Sequence, residues 1–255
     1  MHLDVVELRN FYYTTGLGRM AQQMVRQRLR TLWPDIHGQT LVGFGFAAPF
    51  LRPFMDESAR TLCLMPAQQG VCPWPREGPN LTALVEETLW PLPSGFADRL
   101  IVAHGLEHCE RPAALFEEIW RVLAPGGKTI FLVPNRAGIW ARRDVTPFGY
   151  GRPYSIGQLE RGLSVNKFTA ERHAAALYPP PSHRRFWLRL APAIERLGQR
   201  IDAQQLAGVV MVEATKLVYI APQTGSKVAA REPLRVLEGL RPKPAAGRGT
   251  ARNRV

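Results

Sequence analysis

The sequence predicts an α/β fold, doubly wound about a mostly parallel sheet with an antiparallel edge, and three observations carry that expectation. Two short apolar runs, Leu100-Ile101-Val102-Ala103 and Thr129-Ile130-Phe131-Leu132-Val133, flank a segment of helical periodicity. Strands buried on both faces read this way, and a helix between two of them makes a right-handed crossover. The helical segment stops at Ala124-Pro125-Gly126-Gly127, which joins a helix breaker to residues free to take positive φ. A late pair of apolar runs, Ala174 to Tyr178 and Gly208 to Ile220, encloses a basic helical segment and reads as a hairpin-like edge.

Leu3 to Leu32 opens the chain with Leu17, Met20, Met24 and Leu29 at roughly helical spacing. Arg19, Arg26, Arg28 and Arg30 lie largely on other faces, and Pro34 ends the segment. A basic amphipathic helix either packs on the domain or lies against a membrane or RNA, and packing ranks first. The Phe11-Tyr12-Tyr13 cluster is either core or a cover over a ligand. The first strand is expected at Thr40 to Val42, followed by Gly43-Phe44-Gly45-Phe46-Ala47, and Pro49-Phe50-Leu51 opens a short helix. Thr61 to Leu64 reads as the second strand, ending at Met65-Pro66, and Ala83 to Val85 as the third, ending at Glu86. The fourth follows Asp98 and ends at His104. The helix after it begins at Arg111-Pro112, with Leu115, Ile119 and Val122 facing the core and Glu117, Glu118 and Arg121 opposite.

Beyond the fifth strand, Asn135 to Leu159 is a long segment punctuated by Gly and Pro and rich in aromatic and basic residues. Arginine pairs with carboxylate or phosphate and aromatic rings stack, so the segment suits an aromatic or acidic substrate. Arg184 to Arg200 reads as a basic helical segment interrupted by Pro192, and the mixture of basic and aromatic residues in Arg184-Arg185-Phe186-Trp187-Leu188-Arg189 suits nucleic acid or lipid head groups.

Composition bounds the rest. The chain has 255 residues, 45% hydrophobic and 21% charged, which suits one soluble globular domain. It shows no apolar run near the length of a membrane span and no charged-then-apolar amino terminus, so a cytoplasmic protein without a transmembrane segment is expected. Three cysteines, Cys63, Cys72 and Cys109, lack metal-ligand spacing, so neither a disulfide framework nor a metal site is expected. The net charge is +12, and the stretch from Ala221 onward, with eight Lys or Arg and two Glu, supplies half of it. That tail has little to bury and is expected to be disordered, either simply solvated or holding nucleic acid or an anionic surface.

The residues Pro91-Leu92-Pro93 with Phe96 and Asp98, then Leu106-Glu107-His108, then Glu118, Arg121-Val122-Leu123 and Pro125-Gly126-Gly127 stand in order and spacing. At these positions the chain resembles the class I S-adenosylmethionine-dependent methyltransferases, type 11 branch. The resemblance implies a seven-stranded Rossmann-like methyltransferase fold over residues 36–222, with a substrate loop at 135–160, a helical flank or lid at 1–35 and a basic tail at 223–255. It implies S-adenosyl-L-methionine as cofactor, held by Gly43, Gly45, Phe46, Met65, Glu86 and His104, with His108, His104 and Tyr154 as catalytic candidates. Trp140, Arg152 and Tyr154 would meet a small-molecule or lipid-like substrate, while Trp140 and Phe148 also suit packing. The chain departs from the family in two places. No acidic residue precedes the glycine turn, and Met65 stands where a carboxylate usually binds the cofactor ribose. These departures keep open a degenerate methyltransferase fold that binds a ligand or partner without catalysis, and the net charge keeps open an RNA-binding methyltransferase.

Overall fold

The apolar runs become the strands of a single sheet in the computed structural model, which describes residues 3–142, 144–201 and 203–217. The strands are β1 (Thr40–Gly45), β2 (Arg60–Pro66), β3 (Thr82–Val85), β4 (Ala97–Ala103), β5 (Leu123–Pro134), β6 (Phe168–Ala176) and β7 (Val209–Lys216). Their order is β3-β2-β1-β4-β5-β7-β6. The first five are parallel, and β7 runs antiparallel to both β5 and β6. The chain therefore reverses its winding between β1 and β4, and the crevice at their carboxyl ends is the topological switch point.

Side-chain alternation sorts the strands onto two cores. Ile101, Ala103, Ile130, Leu132 and Met211 pack on one face with the helices α1 (Val5–Thr14), α2 (Gly16–Leu32) and α3 (Ala48–Leu51). Leu100, Val102, Phe131, Val133 and Val212 pack on the other with α4 (Pro112–Val122) and α5 (Ile156–Val165). Both faces are covered, as continuous apolar runs require.

Several expectations are corrected in detail. The amino-terminal segment is two helices rather than one, because Thr15 takes an extended backbone and its hydroxyl accepts from Gly18 N at 2.9 Å, capping α2. A side chain at Gly18 would strike the Phe11 carbonyl at 1.9 Å, so the two helices meet at a glycine. Most α2 arginines serve internal contacts: Arg26 donates to Pro49 O at 2.6 Å, Arg28 to Ala175 O at 3.1 Å, and Arg30 pairs with Glu57. The helix α6 (Arg185–Arg200) runs through Pro192 without interruption. The strand β5 starts at Leu123, ahead of the proline-glycine turn, with an irregular register opposite Ala97 and Arg99.

Glu118 is the clearest misreading of a surface residue. It is buried on α4, accepting from Trp90 N at 2.6 Å and binding Arg121 through two hydrogen bonds of 2.7 and 2.8 Å. Arg121 in turn donates to Leu92 O at 2.8 Å. The spaced acid and arginine thus clamp the 90–92 loop onto the crossover helix. Asp98 has a comparable task, accepting from Thr40 N at 2.8 Å where β1 begins. Cys63, Cys72 and Cys109 are buried free thiols. Among the described residues no helix is long and apolar enough to cross a membrane. Arg143 and the basic tail lie outside the described residues.

Candidate functional site

The carboxyl ends of β1 and β4 approach closely because both turns are glycine-containing. Gly45 ends β1 with φ of +78°, and a Cβ there would lie 2.3 Å from the Ala103 carbonyl oxygen and 2.9 Å from Gly105 N. Only glycine allows both that dihedral and that approach. Directly after Ala103, His104 holds a left-handed backbone with φ of +51°, an uncommon conformation for a residue with a side chain. Two hydrogen bonds hold it there: Gln69 donates its side-chain amide to His104 O, and Tyr12 Oη lies 2.6 Å from His104 Nε2. Glu107 Oε1 lies 3.3 Å from His104 Nδ1, a charge contact without hydrogen-bond geometry.

Tyr12, His104 and Glu107 therefore form a chain of three ionisable side chains, with exposures of 0%, 0% and 1%. A hydroxyl donated to Nε2 places the imidazole proton on Nδ1, facing the carboxylate. Burial first, and the nearby Glu107 carboxylate second, hold the Tyr12 phenol well above its usual pKa. His108 sits beside Gly151, where a Cβ would lie 3.0 Å from its ring. Arg152 donates its backbone N–H to Glu107 O at 2.8 Å. Tyr154 is half-buried, and its phenol is raised by burial and then by the same Glu107 carboxylate. Its backbone is fixed by a bridge to Asn135 at the end of β5.

The rings close the crevice. Tyr12 stacks on Phe46 with centroids 6.0 Å apart and planes 18° apart, and meets Phe50 and Phe148 edge to face at 5.4 and 6.4 Å. Phe148 lies 5.0 Å from the His104 ring. The α1 helix is also tied down at its start, where Val5 N donates to Gln69 O at 2.8 Å.

The structure brings together Gly45, Phe46, His104, His108, Arg152 and Tyr154 from the residues expected at the site. Gly43 lies within β1, against Leu51 and Ala47. Met65 is buried at the end of β2 among apolar neighbours, while Glu86 is exposed after β3. The buried acid there is its neighbour Glu87, facing Glu110 N at 3.3 Å. Trp140 is wholly buried and donates to Pro179 O at 2.7 Å, which gives it a packing position. Just beyond Met65, Gln69 directs its side-chain amide to His104 O, and Gln68 is exposed. Sequence reading missed Tyr12 as the partner of His104. Its signal was present only as an aromatic cluster on a helical face.

S-adenosylmethionine needs an open glycine turn and an acceptor for its ribose hydroxyls. The turn is present, but Tyr12 and Phe46 stack beside it and Met65 offers no such acceptor. The closed crevice as it stands does not fit this cofactor. A cavity of about 380 Å³ lies instead at the opposite end of β2, lined by Met55, Arg60, Thr61 and Leu81 among others.

Comparison with known proteins agrees with the sheet. Residues 45–131 match the family model described as a methyltransferase domain. No curated protein matches the chain by sequence. An S-adenosylmethionine-dependent methyltransferase from Thermotoga maritima is 15% identical, with TM-score 0.55, covering 79% of this chain and 92% of its own. A chain from the complex of the Haloferax volcanii Trm112 methyltransferase activator with its methyltransferase is 12% identical, with TM-score 0.57 and coverage of 83% and 98%. The [4+2]-cyclase SpnF is 16% identical, with TM-score 0.52 and coverage of 86% and 87%. At these identities the structures establish the fold and leave the chemistry to the site. Over residues 45–131 the chain is therefore similar to a methyltransferase domain, and its sheet has the Rossmann-like fold of the S-adenosylmethionine-dependent methyltransferases.

Proposed function

We propose that the chain is an S-adenosylmethionine-dependent methyltransferase for a small-molecule or lipid-like acceptor, with its crevice drawn shut by α1. The observation that carries this reading is the buried Tyr12–His104–Glu107 chain at the carboxyl end of β4. A carboxylate and an imidazole removed from water are costly unless put to use, and the strained backbone of His104 adds to that cost. Their use is acid–base chemistry. Once Tyr12 withdraws, His104 Nε2 is free to take a proton from an acceptor hydroxyl or amine, and Glu107 stabilises the resulting imidazolium through Nδ1. Tyr154, beside the same carboxylate, and Arg152 would orient the acceptor, and His108 is the alternative base. Gly45 and Phe46 mark the turn that the cofactor would approach after α1 opens.

A second reading is a methyltransferase fold that binds a partner without catalysis. Met65 and the stacked Tyr12 and Phe46 rings favour it. Calorimetric titration of the full chain and of Tyr12→Ala with S-adenosylmethionine and S-adenosylhomocysteine separates the two. Micromolar binding to the full chain, or binding gained by Tyr12→Ala, supports the enzyme with a gating helix. Absence of binding by both up to millimolar ligand refutes it and leaves the binding protein.

A further inference from the structure

The helix α6 is divided into three sectors by its own sequence. Ala191, Glu195 and Gly198 are buried, and a Cβ at Gly198 would meet the Tyr178 ring at 2.3 Å. Glu195 accepts from the backbone N–H groups of Leu177 and Tyr178 at 3.3 and 3.0 Å. The helix thus docks through small residues, one buried acid and the partly buried Leu188 and Ile194. Four other large apolar residues face outward: Phe186 is 62% exposed, Leu190 39%, Leu197 59% and Ile201, just past the helix end, 63%.

These four positions follow the spacing i, i+4, i+11, i+15, which aligns them in one stripe along a helix of 3.6 residues per turn. Arg185, Arg189, Arg196 and Arg200 repeat the same spacing one residue earlier. They form a second, exposed stripe alongside the first. An ordinary surface helix hides its apolar stripe and shows its charges. Here both stripes face water, and the apolar one is aliphatic as well as aromatic.

We infer that α6 is an interfacial helix that docks this protein on an anionic lipid bilayer. Phe186, Leu190, Leu197 and Ile201 would enter the acyl boundary while the arginine stripe pairs with phosphate head groups. The charge complementarity commits the surface to an anionic bilayer. Nucleic acid would use the arginines but leave the Leu and Ile side chains in water. This inference stands on α6 alone and is independent of cofactor binding.

The test is sedimentation of the full chain with vesicles of phosphatidylglycerol and phosphatidylcholine in equal parts, and with phosphatidylcholine vesicles. The expected result is partition onto the anionic vesicles, reduced at least tenfold on pure phosphatidylcholine. Leu190→Asp with Leu197→Asp should abolish partition, and both sites are exposed, so circular dichroism and melting temperature should be unchanged. Arg189→Gln with Arg196→Gln should weaken it by about thirtyfold, at about fivefold per basic residue near an anionic surface. Unaltered partition of the aspartate variant would overturn the proposal, since the basic tail would then carry the binding. Equal binding to both vesicles would overturn it too, as would RNA retention or self-association without vesicle binding.

Discussion

Tyr12→Phe removes one oxygen atom from the centre of the closed crevice and nothing else. That oxygen is wholly buried and lies 2.6 Å from His104 Nε2. The ring contacts with Phe46, Phe50 and Phe148 survive the change, so the effect isolates the hydrogen bond. Leaving a buried polar atom without its partner costs about 1–3 kcal/mol. The substitution should therefore lower the free energy of unfolding by about 1–3 kcal/mol near neutral pH, as measured by urea denaturation with an unchanged m-value. A second signature follows from titration. The folded-state pKa of Tyr12 is raised, by burial and then by Glu107, so the folded protein keeps this proton when the unfolded chain loses it. The corresponding stability is fully present below the unfolded phenol pKa of about 10 and is lost as pH rises through the folded value. Above pH of about 10 the wild-type stability should fall more steeply than that of Tyr12→Phe, by about 1.4 kcal/mol per pH unit. A loss below about 0.5 kcal/mol, within the range of ordinary surface substitutions, or an identical alkaline slope, would refute the buried Tyr12–His104 bond.

Gly45 invites a different test. A turn glycine in contact with a ligand would tolerate valine at the expense of binding alone, but here the Cβ would meet the Ala103 carbonyl at 2.3 Å with φ of +78°. Gly45→Val should destabilise the fold by more than the roughly 1–3 kcal/mol of the positive φ itself, and a melting temperature equal to wild type would contradict the packing. Burial pushes the Glu213 carboxyl up, but Arg172, Trp33 and Lys128 outweigh it and hold the group below the ordinary carboxylate range. Its stability is present above the unfolded pKa of about 4.3 and is lost as pH falls through the lower folded value. Glu213→Gln should cost about 3 kcal/mol at neutral pH and flatten the acid limb of the melting-temperature profile. An unchanged acid limb would assign the acid sensitivity elsewhere.

The fold was legible because its signals are local. Two buried strands around one crossover helix, with Pro125-Gly126-Gly127 between helix and strand, specify parallel pairing by periodicity and turn chemistry alone. The late apolar runs were visible for the same reason, although β6 begins at Phe168, ahead of the purely apolar Ala174-Ala175-Ala176. Its first half pairs as an edge strand carrying Glu171, Arg172 and His173, where alternation is masked by charge. Glu118 was misread because a buried ion pair has the composition of an exposed helical face. Only its meeting with Trp90 N and Arg121 shows otherwise.

The candidate site divides along the same line. His104 was legible from its position at a strand end, where open α/β sheets present ligands, while Gly45 and His108 were singled out by the resemblance. Tyr12 was not, because it reaches His104 across 92 residues of sequence and no local pattern records such a contact. The amino-acid sequence by itself determined the doubly wound sheet, its antiparallel edge and the methyltransferase signature, since these follow from spacing between near neighbours. Tertiary structure alone decided that α1 closes the crevice, that Glu107 completes a buried chain with His104, and that α6 shows its apolar stripe to solvent. Each depends on which face of one element meets another, and the burial that settles it is a property of the packed chain.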